Sequence, residues 1–176
     1  TSRVSSAIVV GSNINLTAEG NVALRANQSA LLVHQTGTGD AVYKKNVALN
    51  AKGGHFGQTL MQSENDAVTI HGNLLQTASY SNTTTFFTTS LSEVKGNIKI
   101  DGGVGGDALT TNAQFKGKNL EFRGRNGNNS VVLGDIGAAP VQLTGWLKIV
   151  CGTGNDLIDL AGVAVTGPTM INLGAG

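Results

Sequence analysis

Four aspartates that each follow a glycine or an asparagine are the residues best suited to hold a cation. The four residues are Asp40, Asp66, Asp107 and Asp156. Calcium-binding repeats of secreted proteins place such turns about nine residues apart, so that adjacent turns share each ion. The aspartates here are spaced much more widely. We therefore predict no metal site and no cofactor, and calcium between aligned aspartates is the alternative.

Five charged residues on neighbouring segments are expected to share one outer face. They are Asp101, Glu121, Arg123, Arg125 and Lys148. Hydrolysis of sugars by paired carboxylates needs two acids roughly 5 to 9 Å apart. Asp101 and Glu121 occupy different positions along their segments, and alternating charge is also what a solvated parallel sheet favours. We predict no catalytic residue and no enzyme; a carbohydrate-binding or carbohydrate-cleaving protein is the alternative.

Short repeated segments supply the elements that would position these side chains. Six segments align without gaps, and a degenerate seventh starts at Pro168. The six begin at Asn21, Asn46, Asn73, Asn97, Asn119 and Trp146. Their starts are roughly 22–27 residues apart, which is the period range of solenoid repeats.

Alternation within each segment predicts a strand with one apolar face, because side chains two apart on a strand point the same way. The first inward column is Val22, Val47, Leu74, Ile98, Leu120 and Leu147. We predict an all-β fold, a single-stranded parallel β-helix (β-solenoid) of about seven right-handed coils of roughly 22–27 residues. Residues 1–176 would form one domain, either alone or as a segment of a longer array.

Asparagines at the segment starts predict a ladder of side-chain amides along the stack. The ladder residues are Asn21, Asn46, Asn73, Asn97 and Asn119. A Gly or Asn turn followed by Asp or Asn and a new strand predicts a second column, containing the four aspartates and Asn129. Gln76 is the one polar residue of the middle core column, so it needs a hydrogen-bonding partner inside or a local rearrangement.

Composition excludes several classes of protein. Charged residues are 13% of the chain and the net charge is +1, so a nucleic-acid partner is not expected. The apolar runs are too short to span a membrane. The single cysteine, Cys151, excludes an intramolecular disulfide, and its place in a column of small residues predicts a buried, inert thiol.

The C-terminal stretch carries a resemblance to a known class of repeats. It reads GTGNDLIDLAGVAVTG over residues 152–167 and ends INLGAG over residues 171–176. This stretch resembles the glycine-Asn-Asp repeats of large exported bacterial surface proteins, in which planctomycetes are rich. The resemblance implies an extracellular or cell-surface, adhesin-like protein with a β-helical fold, and it supplies no catalytic residues.

Both ends of a solenoid expose backbone groups and apolar columns that must be covered. The sequence shows no clear capping helix or polar terminal coil. We therefore predict self-association end to end, or contact with neighbouring coils of the same protein. The function expected from the sequence is a structural or adhesive surface module, in its sharpest form a filament subunit; a glycan is the alternative partner.

Overall fold

A computed structural model describes residues 5–10, 16–34, 39–52, 55–64, 67–87, 91–112, 114–135 and 140–175 of the chain. Every regular element within these ranges is a β-strand, and none of these residues is helical. The strands are short because a glycine, an asparagine or a serine interrupts the alternating pattern every few residues.

The strands fall into three columns, and two long strands belong to two columns at once. The first column is β1 (Ser5–Val10), β4 (Ser29–His34), β7 (Gln58–Glu64), β10 (Ser81–Phe87), β12 (Ala108–Thr111), β14 (Ser130–Leu133) and β17 (Leu157–Asp159). The second is β2 (Leu16–Ala18), β5 (Ala41–Tyr43), β8 (Val68–Ile70), β11 (Ser92–Asp101), β13 (Phe115–Arg125), β15 (Val141–Leu143) and β18 (Val163–Val165). The third adds β3 (Val22–Arg25), β6 (Val47–Ala51), β9 (Leu74–Ala78), β16 (Leu147–Cys151) and β19 (Thr169–Asn172) to parts of β11 and β13.

All pairings between these strands are parallel, and each strand pairs with its counterparts on the adjacent coils. The chain is therefore a parallel β-solenoid, as the repeats predicted. The first column has seven strands, of which two lie at its edges and five are paired on both sides. The described residues thus form about five fully stacked turns.

The predicted core column is in register. Val22 lies opposite Val47, Val47 opposite Leu74, and Leu74 opposite Ile98. The column continues from Ile98 to Leu120 and Leu147. All of these are buried except Val22 on the edge coil, which is half-buried. Stacking like side chains directly over one another forms one apolar core that runs along the solenoid.

One irregularity changes the predicted alignment of the small residues. β13 and β16 shift register between Arg123 and Arg125, so Cys151 pairs with Arg125 and not with Gly124. Arg125 has a φ of 61°, in the left-handed region that non-glycine residues seldom adopt. Such a β-bulge redirects the side chains beside it, and here it bears on the outer charged face.

Candidate functional site

Asparagine side chains bond from coil to coil at one corner. Nδ2 of Asn46 donates to Oδ1 of Asn21 at 3.1 Å, and Nδ2 of Asn73 donates to Oδ1 of Asn46 at 3.1 Å. The backbone N–H of Asn97 then donates to Oδ1 of Asn73 at 2.8 Å. Each oxygen therefore accepts a hydrogen bond from the next coil, in the positions that the repeat predicted.

The same corner continues towards the C-terminal coils. Nδ2 of Asn119 donates to Oδ1 of Asn97 at 2.8 Å, and the backbone N–H of Trp146 donates to Oδ1 of Asn119 at 2.9 Å. Trp146 thus takes part through its backbone where the asparagines stop. Gly145 leaves room for this contact, since a Cβ there would lie 1.8 Å from Oδ1 of Asn119.

A second ladder lies inside, where the strands of the first column begin. The hydroxyl of Thr59 donates to Oδ1 of Asn82, and the Asn82 amide donates to Oδ1 of Asp107 at 3.1 Å. The backbone N–H of Asp107 donates to Oδ1 of Asn129 at 3.1 Å, and Nδ2 of Asn129 donates to Oδ1 of Asp156 at 2.8 Å. Buried polar groups thereby bridge successive coils.

Asp107 is the unusual member of this inner ladder. The residue is 1% exposed, and its Oδ2 has no hydrogen-bond partner in the described part of the chain. Burial raises the pKa of Asp107 to about 7, against the smaller lowering effect of the two hydrogen bonds from Asn82. The carboxyl therefore titrates near neutral pH inside the solenoid.

The predicted single column of aspartates is wrong. Asp40 precedes β5, which pairs with β2 and β8, whereas Asp107 and Asp156 precede β12 and β17 of the first column. A Gly or Asn turn followed by Asp suits any corner at which a strand begins, so the same short pattern occurs at two corners. Asp66 lies outside the described residues. Among the described residues no three His, Cys, Asp or Glu side chains are grouped as metal ligands.

Gln76 has the internal partners that its position requires. The residue is fully buried, and its Nε2 donates to Oγ1 of Thr59 at 3.1 Å and to the backbone oxygen of Thr83 at 3.3 Å. Its Oε1 accepts a hydrogen bond from the hydroxyl of Thr84. Threonines on the facing strands β7 and β10 therefore satisfy the polar core position.

Cys151 lies among buried residues at the end of β16, with 4% of its surface exposed. Burial raises the pKa of its thiol to about 11, and the charges of Asp156 and Asp107 act in the same direction. A thiol that stays protonated is a poor nucleophile and a poor metal ligand.

The outer charged face contains one carboxylate shared by cations from two other coils. Nζ of Lys52 lies 3.2 Å from Oδ2 of Asp101, while Nε and Nη2 of Arg125 donate to its Oδ1 at 3.1 and 2.9 Å. Desolvation acts to raise the pKa of Asp101, but the hydrogen bonds and charges of Arg125 and Lys52 outweigh it and lower the pKa below its usual value.

Glu121 is surrounded in the same way. Nη2 of Arg123 lies 2.7 Å from its Oε1, Nζ of Lys148 lies 3.3 Å from the same oxygen, and Nζ of Lys99 lies 3.9 Å from Oε2. Desolvation is the largest single influence, yet the hydrogen bonds and charges of Arg123 and Lys148 together lower the pKa of Glu121. The predicted charged residues therefore form two clusters, each around one largely buried carboxylate.

A groove of about 460 Å³ lies beside Asp101. Its walls include Lys52, Ser79, Gly103, Val104 and Arg125. Sequence reasoning identified Arg125 but missed the others, because Lys52 and Ser79 lie in turns outside the aligned segments. The only available signal was Gly102-Gly103, a pair that permits close approach of backbones.

The last described coil exposes side chains of the core type. Ile171 lies opposite Ile149 in register, yet it is 43% exposed whereas Ile149 is fully buried. Leu173 on this coil is also exposed, and so are Leu157 and Met170, which lie opposite the outward-facing Ser130 and Lys148. Strands β17, β18 and β19 are edge strands of their columns.

Comparison with protein-family models, with curated proteins and with solved structures gives no match. No helix that could cross a membrane occurs in the described parts of the chain.

Proposed function

We propose that the protein is a structural or adhesive module of the cell surface that stacks end to end with further copies of itself. One observation carries the proposal: on the last coil, Ile171 continues the inward column that contains the buried Ile149 and yet is exposed. Ile171 and Leu173 are 43% and 48% exposed on a coil whose strands have an unpaired edge.

Association of this kind requires two different surfaces that fit together. The opposite edge of the solenoid carries the half-buried Val22 and Leu24; Leu24 belongs to the same core column as Ile171, whereas the column of Val22 ends at Thr169 on the last coil. A further coil laid on Ile171 would both bury apolar surface and pair the free backbone groups of β19. Contact of one end with the other end of the next copy repeats without closing, and so it produces a filament.

Several finer features belong to this proposal. The coiling is right-handed, as parallel crossovers strongly prefer, and the coils number about seven when the edge coils are counted. The location is extracellular or at the cell surface, which the glycine-Asn-Asp repeats at residues 152–167 support. Surface labelling of intact source cells tests the location, and labelling only after lysis would contradict it.

The proposal includes no enzymatic activity, no cofactor and no nucleic-acid partner. The cations around Asp101 and Glu121 support this view, since a carboxylate held as an ion by close cations is a poor general acid. Turnover of a polysaccharide by the purified protein, abolished in Glu121→Gln, would contradict it.

Sedimentation over a wide concentration range, with electron microscopy of the same samples, tests the stacking. The native protein is expected to form longer species as concentration rises. Ile171→Lys is expected to abolish them because a charge would be buried in the contact. Leu75→Lys is the matched control, since Leu75 is 37% exposed on the side of the solenoid.

Two outcomes would refute stacking. One is a native protein that remains monomeric at every accessible concentration, and the other is an Ile171→Lys variant that assembles as well as Leu75→Lys.

A further inference from the structure

The groove beside Asp101 crosses four successive coils. Lys52 follows β6, Ser79 follows β9, Gly103 follows β11 and Arg125 ends β13. Because neighbouring strands lie ~4.8 Å apart, three such steps give a groove about 14 Å long, parallel to the solenoid axis. This length suits an extended chain molecule better than a single small ion.

The floor of the groove is backbone held close to backbone. A Cβ on Gly103 would lie 2.1 Å from the carbonyl oxygen of Ser79, so only glycine fits there. The N–H of Val104 donates to that same oxygen at 3.3 Å. Val104 itself is 63% exposed and adds an apolar wall. The floor is therefore formed by backbone packed directly against backbone of the adjacent coil.

Two cations stand over this floor with half of each side chain exposed. The exposed fractions are 48% for the Lys52 side chain and 55% for that of Arg125. Both contact Asp101, whose side chain is only 12% exposed. Asp101 thus positions the two cations, and the three groups together carry a net charge of +1. An anionic group on a ligand would meet two prepositioned donors.

The backbone of Arg125 adopts a strained conformation where its side chain reaches Asp101. Its φ of 61° makes it the one described non-glycine residue in the left-handed region. Such strain is unfavourable, and it is concentrated at functional sites. A glycine or asparagine would relieve it, yet neither would bring a guanidinium to Asp101.

An aromatic pair lies next to the groove wall, since Phe56 precedes Gly57, whose N–H donates to Oγ of Ser79 at 2.9 Å. The ring of Tyr80, which follows Ser79 in the chain, lies edge to face with Phe56 at a centroid distance of 5.6 Å. Phe56 is 71% exposed, which is unusual for a residue of this type. Tyr80 is fixed from behind, since its ring approaches Gly105 so closely that a Cβ there would lie 2.8 Å away. Neither ring lines the groove itself, but a flat, exposed ring beside a polar groove suits the face of a sugar ring.

We infer that this groove binds an acidic oligosaccharide, with Lys52 and Arg125 contacting a sugar carboxylate and Phe56 packing on a sugar ring. The observations behind the site are independent of those behind stacking, which concern the end coil.

Titration calorimetry with a galacturonate trimer, and with a neutral galactose trimer for comparison, tests the inference. The acidic trimer is expected to bind in a saturable way, more weakly at higher salt because the contact is ionic. Arg125→Asn is expected to weaken binding of the acidic trimer about tenfold or more, since asparagine tolerates the left-handed backbone but lacks the guanidinium. Phe56→Ala is expected to weaken the binding of both trimers.

Arg123→Asn is the matched control. Arg123 lies on the same strand and also pairs with a carboxylate, but that partner is Glu121, outside the groove. The variant should bind the acidic trimer like the native protein. Lys52→Met removes the other cation of the groove and leaves the bulge at Arg125 unchanged, so it is also expected to weaken binding of the acidic trimer. Its result replaces that of Arg125→Asn if Arg125→Asn lowers the melting temperature.

Three results would overturn the inference. The first is the absence of saturable binding of the acidic trimer to the native protein. The second is equal binding of the two trimers. The third is an Arg123→Asn variant whose binding is weakened as much as that of Arg125→Asn, which would indicate general attraction to positive charge.

Discussion

Replacing Asp107 by asparagine should remove a pH dependence that is built into the inner ladder. The asparagine Oδ1 can still accept the hydrogen bonds that Asp107 Oδ1 accepts from Asn82 at 2.6 and 3.1 Å. Its Nδ2 takes the place of Oδ2, which has no hydrogen-bond partner in the described structure. The substitution therefore changes the ionisation at this position with little change in shape.

The sign and size of the effect follow from the raised pKa. Asp107 binds its proton more tightly in the folded chain, with a pKa of about 7 against 3.8 as a reference. Its contribution to the free energy of unfolding is therefore complete below about pH 4 and is lost as pH rises through 7. Because one pH unit corresponds to about 1.4 kcal/mol, the loss is on the order of 4 kcal/mol.

Urea denaturation of both proteins at pH 4.5 and pH 8.5 measures this difference. The two should be similarly stable at the lower pH, and Asp107→Asn should be more stable at the higher pH by up to about 4 kcal/mol. Asp159 is exposed on the last coil, so Asp159→Asn serves as the control. Its free energy of unfolding should lie within ~0.5 kcal/mol of that of the native protein at both pH values. A difference between native protein and Asp107→Asn that does not grow with pH would refute the reasoning.

Three further substitutions test the packing between coils, each by urea denaturation. Gly152→Ala places a Cβ 1.6 Å from a carbonyl oxygen of the adjacent coil and should destabilise by about 1–3 kcal/mol or more, whereas Gly20→Ala, with nothing within 4 Å, should be nearly neutral; equal effects would contradict the stacking. Asn73→Ala removes one member of the outer ladder and should lower the free energy of unfolding by about 1 kcal/mol. Hydrogen exchange at the backbone amide of Asn97, which donates to Asn73, should become faster, and unchanged exchange would argue against the ladder. Gln76→Leu leaves the Thr84 hydroxyl without its acceptor and should cost about 1–3 kcal/mol, part of which the added Thr84→Val should restore; purely additive losses would mean that the two side chains do not interact.

The sequence predicted the features that depend on repetition. Val47, Leu74 and Ile98 are in register because alternation within a strand and a steady period between strands leave one consistent stacking. The asparagines of the outer corner were identifiable for the same reason, since they start each aligned segment.

Features set by the corners could not be read in the same way. Asp40 and Asp107 share a local pattern but begin strands of different columns, and turn chemistry does not distinguish one corner from another. The groove also escaped prediction, because its residues come from turns of unequal length on four coils. Only the three-dimensional stacking places Lys52 and Arg125 on the same carboxylate.

Methyl NOEs in a selectively labelled protein test the stacked core most directly. Strong cross-peaks between Val47 and Leu74 and between Leu74 and Ile98 are expected, because these residues occupy successive positions of one buried column. Absence of both cross-peaks in a folded sample, or Val47 in closer contact with Ile98 than with Leu74, would contradict the solenoid.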